Sequence, residues 1–250
     1  MNPKARVNEL LMRCGQPDGI LPPTALYNEG WMLRLVLDWA ADHPQAIKGL
    51  NFEEGSRWYS EALLESRFKP RRKGDSFAEG RTHADGVIGH FKHPDDTHGV
   101  IELTPDARQF IVIEAKMASG LSAGTKGAPN YNQAARIIAC LAHLLIKSGH
   151  DPASLTNCGF VLLAPESRIK EGVFEEANKA SIKQAVKNRA ESYGGDAVEW
   201  YEQKFKPFLE TCGVINRSWE EVLSDIRLFD PVVYTELTAF YERCREFNFI

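Results

Sequence analysis

A carboxylate and an amine, Glu114 and Lys116, lie two positions apart at the end of a strongly apolar run. The four residues before them, 110–113, read Phe-Ile-Val-Ile, which is typical of a buried strand. Alternate side chains of a strand point to the same face, so Glu114 and Lys116 are predicted to project together, with Ala115 opposite. Burying two charges costs free energy unless both are satisfied. A site that binds a metal ion and a phosphate group would satisfy them.

A second carboxylate, Asp85, opens another apolar stretch in residues 82–91. Together with residues 99–104 and 110–117, this stretch predicts a meander of three strands, about 84–91, 99–104 and 110–117, with a turn rich in Pro, Asp, His and Gly after the first. Neighbouring strands lie about 4.8 Å apart, so a carboxylate on the first or second strand can meet Glu114 around one cation. Asp85 is the preferred partner, and the remaining candidates are Asp95, Asp96 and Glu102.

Helical patterns flank the predicted meander. One runs from Phe52 to Phe68 and carries two candidate glutamates, of which Glu61 is favoured over Glu65 because apolar residues follow Glu61 at i+3 and i+7. A second helix is predicted from 130 to about 146, with Gln133 in its first turn, and a fourth strand at 158–164. Further helices are expected at about 28–43, 172–192, 196–211, 218–227 and 231–247.

Asp85 followed by Glu114-Ala115-Lys116 resembles the signature of the PD-(D/E)xK nuclease superfamily, which has the restriction-endonuclease-like fold. The resemblance covers roughly residues 50–165 in the family's order of elements. It departs from the pattern at Ala84, where the family name calls for proline. The fold implied is α/β, a restriction-endonuclease-like core with a central mixed sheet flanked by helices, followed by a helical C-terminal extension.

The resemblance also implies a function, a metal-dependent nuclease that hydrolyses phosphodiester bonds with Mg²⁺ or Mn²⁺. Asp85, Glu114, the backbone carbonyl of Ala115 and Glu61 would hold the metal. Lys116 would orient the attacking water or neutralise developing charge, and Gln133 would hydrogen-bond the water or the DNA backbone. Hard cations such as Mg²⁺ prefer these oxygen ligands. DNA is favoured over RNA as the substrate, in restriction, defence or repair.

Basic residues near the predicted site suggest where nucleic acid would bind, although the formal net charge of the chain is −4. A dense patch that includes Arg71, Arg72 and Lys73 follows the predicted Glu61 helix, and Lys126 lies in a Gly-rich loop after Lys116. Such local patches attract phosphate regardless of the total charge. The C-terminal helices are expected to pack on the sheet, contact DNA or form the interface of a homodimer.

Two alternatives remain open at the level of sequence. Histidines at 83, 90, 93 and 98 crowd the segment 83–98 with its aspartates, which suits a zinc-dependent hydrolase. No Cys-x-x-Cys or His-x-x-x-His element supports this reading. The other alternative is a non-catalytic member of the same fold that binds nucleic acid or a protein. The complete set of Asp85, Glu114 and Lys116 argues against it.

Length and composition are consistent with one soluble globular unit. The 250 residues are interpreted as a single domain, 1–250, with the nuclease-like core at about 50–165, a helical N-terminal segment at 1–49 and the helical extension at 166–250. The cysteines are five, scattered and never paired as Cys-x-x-Cys, which favours reduced thiols and a cytoplasmic location. No apolar run predicts a membrane span, and no signal peptide is expected.

Overall fold

A five-stranded mixed sheet forms the centre of the structure, a computed structural model that describes residues 2–94, 99–124, 128–151 and 154–249. The strand order in the sheet is β1-β2-β5-β6-β7, and a separate two-stranded sheet pairs β3 with β4. The strands are β1 Arg57–Glu65, β2 Arg81–Gly89, β3 Phe91–Lys92, β4 Glu102–Leu103, β5 Gln109–Ala115, β6 Asn157–Ala164 and β7 Gly213–Ser218.

Helices cover both faces of this sheet. In chain order they are α1 Pro3–Met12, α2 Glu29–Asp42, α3 Gln133–Lys147, α4 Glu166–Lys170, α5 Lys179–Tyr193, α6 Ala197–Trp200, α7 Lys206–Thr211, α8 Trp219–Phe229 and α9 Pro231–Asn248. A 3₁₀ turn spans Pro23–Ala25, and a π-helical turn, Tyr201–Phe205, joins α6 to α7. Among the described helices, none has both the length and the apolar character needed to cross a membrane.

The sheet changes direction at β5. Strand β2 is antiparallel to both β1 and β5, whereas β5, β6 and β7 are parallel to one another. Helix α3 connects β5 to β6, as a parallel pair requires a crossover. One buried cluster fills the face under α3 and α5, and includes Phe110, Val112 and Ile137. A second cluster fills the opposite face under α2, α8 and α9, and includes Leu37 and Ile113. The α/β class with a mixed sheet between helices is therefore confirmed.

The helix predicted from Phe52 to Phe68 is wrong, because this segment forms the edge strand β1. Its residues pair with β2 in a regular antiparallel register from Arg57↔Gly89 to Glu65↔Arg81. The Glu-Ala-Leu-Leu-Glu run at 61–65 has a high helix propensity. Pairing with β2 and burial of Ala62 and Leu64 against the core outweigh that local preference.

Two further expectations are corrected by the strand pairing. The predicted middle strand at 99–104 is not part of the central sheet: only its β4 portion is a strand, and it pairs with β3 outside that sheet. Strands β2 and β5 are instead direct neighbours. The C-terminal segment 166–250 is not purely helical, because it supplies β7, which joins the open edge of β6.

Gly89 allows β2 to approach β5 closely at their Gly89↔Phe110 pair. Its φ is 158°, and a Cβ placed there would lie 2.3 Å from the carbonyl oxygen of Gln109 and 2.9 Å from Cα of Phe110. Gly89→Ala is therefore expected to lower the free energy of unfolding by roughly 2–3 kcal/mol in urea titrations. Gly80→Ala is the matched control, since nothing lies within 4 Å of its Cβ position. Equal stability of both variants would contradict this account of the strand contact.

Candidate functional site

Asp85 and Glu114 meet where the pairing of β2 and β5 ends. The last backbone pair between these strands is Gly86↔Ile113. Beyond it, the N–H of Ala115 donates to Oδ2 of Asp85 at 2.8 Å, so a side chain replaces the next backbone acceptor. This contact places the Asp85 carboxylate beside β5, as the sequence predicted for the two acidic residues.

Glu61 lies opposite Asp85 on the neighbouring strand β1, at a break in the ladder. Its φ of 57° is a left-handed conformation that non-glycine residues rarely adopt. The backbone pairs on either side are intact, and they are Ser60↔Gly86 and Ala62↔Ala84. Backbone distortion of this kind costs of order 1–3 kcal/mol and concentrates at functional sites. The distortion thus marks the same point of the sheet as the Asp85 carboxylate.

Glu114 is a fully buried carboxylate on the α3 side of the sheet. Its Oε1 accepts hydrogen bonds from Nζ of Lys116 and from Nε2 of Gln133. Its Oε2 is buried and accepts no hydrogen bond from a donor in the described part of the chain. The adjacent Asp85 carboxyl can hydrogen-bond Glu114 only when one of the two groups is protonated. Buried carboxylate oxygens are normally satisfied, so this Oε2 atom is available to bind a ligand.

Burial raises the pKa values of both acidic groups, and a neighbouring negative charge adds to each shift, Asp85 for Glu114 and Glu61 for Asp85. Desolvation, followed by the charge of Asp85, raises the pKa of Glu114 to about 8, although Lys116 opposes the shift. Desolvation also raises the pKa of Asp85, against the hydrogen bond from Ala115 and the charge of Lys116. Two carboxylates held together in a poorly hydrated place need a cation or a shared proton.

Lys116 is held at both of its backbone groups. Its N–H donates to the carbonyl of Leu163 on β6 at 2.8 Å, and its carbonyl accepts from the indole Nε1 of Trp219 at 2.9 Å. Its side chain is 12% exposed and forms an ion pair with Glu114. The predicted projection of Glu114 and Lys116 to one face is confirmed, with buried Ala115 on the α2 side.

Gln133, the first residue of α3, connects Glu114 to the loop that follows β5. Its Nε2 donates to Glu114, and its Oε1 accepts from the N–H of Ser122 at 3.2 Å. Its own N–H donates to the carbonyl of Ser122 at 3.0 Å. The predicted place of Gln133 at the site is thus observed, and the amide orients a carboxylate oxygen.

The two glutamates of β1 have different surroundings. Glu61 accepts from Nη2 of Arg34 on α2 at 3.1 Å, and its Oε2 is 4.0 Å from Nδ1 of His83. Glu65 pairs instead with Lys147 at 2.7 Å and with Lys69, and these contacts lower its pKa to about 2 despite partial burial. Glu61, about half exposed, is therefore the glutamate near Asp85, but it comes from a strand and not from the predicted helix.

The donor set fits a hard divalent cation. Within the described ranges no group of three His, Cys, Asp or Glu side chains converges as a metal cage. Asp85 and Glu114 provide two carboxylates. The N–H of Ala115 donates to Asp85, and the carbonyl of Ala115 points to the same edge of the strand, so it also lies toward Asp85. Mg²⁺ is typically bound by one or two carboxylates and keeps several waters. The unpartnered Oε2 of Glu114 is the atom best placed to serve as a ligand.

The histidine-rich segment does not assemble as a zinc centre in the described residues. His90 is buried, with Nε2 at 3.0 Å from the carbonyl of Glu54 and Nδ1 at 3.2 Å from the N–H of Gln109. His93 contacts the carbonyl of Val100 through Nδ1. His83 is exposed beside Glu61. Three of the candidate side chains, Asp95, Asp96 and His98, lie outside the described residues.

The predicted basic patch lies in the loop between β1 and β2, and its members differ. Arg71 is bound to Asp75 at 2.9 Å and to the carbonyl of Tyr193 at 2.6 Å, so its guanidinium holds the loop against α5. Arg72 and Lys73 are exposed. Lys126 lies outside the described residues.

Three contributors were missed by the sequence analysis: Trp219, Arg34 and Ser122. A capping box, in which Ser218 and Glu221 satisfy each other's backbone, marks the start of α8 and could have located Trp219 at a helix start. Its contact with Lys116 depends on β7 joining the sheet. No local pattern indicates that Arg34 reaches Glu61.

Comparisons with known proteins gave no match, whether to a protein-family model, to a curated protein or to a solved structure.

Proposed function

We propose that this protein is a metal-dependent nuclease of the restriction-endonuclease-like type, which hydrolyses phosphodiester bonds in DNA. The observation that carries the proposal is the buried, half-satisfied carboxylate of Glu114, placed between Asp85 and Lys116. Such a group is costly to fold unless a ligand uses it. A divalent cation and an anionic substrate are the ligands that the adjacent charges would bind.

The arrangement of the elements supports the superfamily. An antiparallel β1-β2-β5 set is followed by helix α3 and the parallel strand β6. The helix and the strand after β5 follow the order that the resemblance implies, whereas β1 takes the place of the expected preceding helix. Asp85 lies on the second strand of this set, Glu114 lies at the end of the third, and Lys116 directly follows that strand. The helix after it contributes Gln133 to the same carboxylate. The glutamate from β1 replaces one from a preceding helix.

Each side chain then has a distinct role. Asp85 and Glu114 would hold a Mg²⁺ or Mn²⁺ ion, with the Ala115 carbonyl as a further ligand. When bound, such an ion would supply charge neutralisation at a phosphate oxygen and a more acidic water. Lys116, which is ion-paired with Glu114, would offset the negative charge that develops during attack. Gln133 keeps one oxygen of Glu114 fixed.

Cleavage assays with the full chain test this proposal. Supercoiled plasmid, linear duplex DNA and single-stranded RNA of matched length are incubated with the protein and Mg²⁺, Mn²⁺, Zn²⁺ or EDTA. We expect nicking or degradation of DNA with Mg²⁺ or Mn²⁺, none in EDTA, and weaker activity on RNA. Activity only with Zn²⁺ would reject the metal assignment. Cleavage that persists in EDTA would reject metal dependence altogether.

A further inference from the structure

A cavity of about 390 Å³ adjoins the candidate site between the start of β2 and the first turns of α3. It shares Gln133 with the carboxylate cluster and His83 with the neighbourhood of Glu61. The cavity is lined by Ala78, Glu79, Gly80, Arg81, Thr82, His83, Gln133 and Arg136. Two of these residues, Arg81 and Arg136, carry guanidinium groups, which favour an anionic ligand.

The positive charge of this cavity is not neutralised from within the protein. In the described ranges, neither Arg81 nor Arg136 has a carboxylate within ion-pair distance, although most described arginines do. The single acidic residue of the lining, Glu79, is already paired with Arg189 at 2.6 Å and accepts from Ser66 at 2.9 Å. An anion that enters the cavity would therefore meet two guanidinium groups that have no carboxylate partner in the described residues.

Arg136 is pre-positioned for such an anion. It lies three residues after Gln133, on the same face of α3. Its Nη2 donates to Oγ of Ser122 at 3.1 Å, in the loop that Gln133 also holds. Its Nε is buried without a hydrogen-bond partner in the described structure. A phosphate oxygen is an acceptor that a guanidinium fork binds well.

A second basic cleft makes a useful contrast. Arg67, Lys69 and Arg71 line a cavity of about 410 Å³ near the end of α5. Each of them already has a carboxylate partner, namely Asp196, Glu65 and Asp75 respectively. Its charge is thus compensated internally, whereas that of the cavity at Arg136 is not.

We propose that the Arg81–Arg136 cavity binds a backbone phosphate of the DNA strand next to the phosphate that is cleaved. The inference rests on the proposed function, since it takes the Asp85–Glu114 site as the cleavage centre. Arg136 and Arg81 are positioning residues that fix the strand while Glu114 and Lys116 act on the neighbouring linkage. They recognise the sugar–phosphate chain and not the bases, because they contact phosphate only.

Equilibrium binding of a short fluorescein-labelled DNA duplex, followed by anisotropy in EDTA, tests this site without cleavage. Arg136→Ala and Arg81→Ala are each expected to weaken binding about tenfold. Each should also reduce the slope of log Kd against log salt by about 1, as loss of one phosphate contact does. Arg136→Lys should keep the salt slope and lose part of the affinity. Arg6→Ala, which removes an exposed arginine on α1, should bind as the wild type does.

A second readout separates this inference from the nuclease proposal. The rise in melting temperature caused by Mn²⁺ should be unchanged in Arg136→Ala and absent in Asp85→Asn. The DNA affinity measured in EDTA should be weakened in Arg136→Ala and unchanged in Asp85→Asn. Wild-type affinity and salt slope in both arginine variants would overturn the phosphate site. A purely structural role for Arg136 would also overturn it. In that case Arg136→Ala would lose both affinity and melting temperature, whereas Arg136→Lys would keep the full wild-type value of both. DNA binding without any cleavage would reject the nuclease and retain the phosphate site.

Discussion

Lys116→Met is expected to reduce DNA cleavage by roughly 100- to 1,000-fold at saturating Mg²⁺, the usual cost of losing one electrostatic contact to the transition state. Lys116 is 12% exposed and pairs with the fully buried Glu114, so its charge acts in a poorly hydrated place. Methionine retains the length and volume of the apolar stem, so the packing of the side chain survives. Single-turnover rates on plasmid DNA, measured with enzyme in excess, report this loss apart from substrate binding.

The matched control for this prediction is Lys147→Met on α3. Lys147 is 57% exposed and pairs with Glu65, outside the carboxylate cluster. The Lys147→Met protein should cleave DNA at the wild-type rate. Glu114→Gln should be as inactive as Lys116→Met, because it removes the proposed metal ligand while keeping the size of the side chain. A Lys116→Met protein that melts as the wild type does and cleaves at the wild-type rate would refute the role of this amine.

The second large effect concerns stability, because Asp85→Asn is expected to stabilise the metal-free protein at pH 8. Burial and the Asp85 charge raise the pKa of Glu114 from 4.5 to about 8. The folded state therefore binds more protons than the unfolded state between these two values. Its stability is greatest below pH 4.5 as far as this group is concerned, and falls as the pH rises toward 8, by up to roughly 1.4 kcal/mol per pH unit.

Removing the charge of Asp85 lowers the pKa of Glu114 and flattens this dependence. The asparagine oxygen can still accept the hydrogen bond from Ala115, so the contact between β2 and β5 is kept. We expect a gain of roughly 1–2 kcal/mol at pH 8 and a much smaller gain at pH 5. Urea titrations in EDTA across this pH range measure both.

The metal response provides the internal check on Asp85→Asn. Mn²⁺ should raise the melting temperature of the wild type by mass action, and it should have little effect on the variant. Asp42→Asn, at an exposed position that ends α2, is the control and should change stability by less than about 0.5 kcal/mol with the wild-type pH slope. An Asp85→Asn protein that is less stable than the wild type at pH 8 would contradict the proposed repulsion between the carboxylates.

Local sequence patterns determined a large part of the site. The two-residue period of a buried strand placed Glu114 and Lys116 on one face, because side chains alternate along any extended chain. The helix that carries Gln133 followed from apolar periodicity after Pro129, although it was predicted to begin at Asn130 and α3 begins at Gln133. These features depend on a few neighbouring residues, and their geometry hardly changes with the rest of the fold.

Tertiary structure decided what local patterns could not. Residues 57–65 have the composition of a helix, and only pairing with β2 makes them a strand that brings Glu61 to Asp85. The direct pairing of β2 with β5, and the exclusion of the segment around β4 from the sheet, set the Asp85–Glu114 contact. The hydrogen bond from the Trp219 indole to the Lys116 carbonyl joins residues that are 103 positions apart. Contacts of this kind result from competition among long-range pairings for burial and hydrogen bonds. The outcome of that competition cannot be predicted from the residues near each position alone.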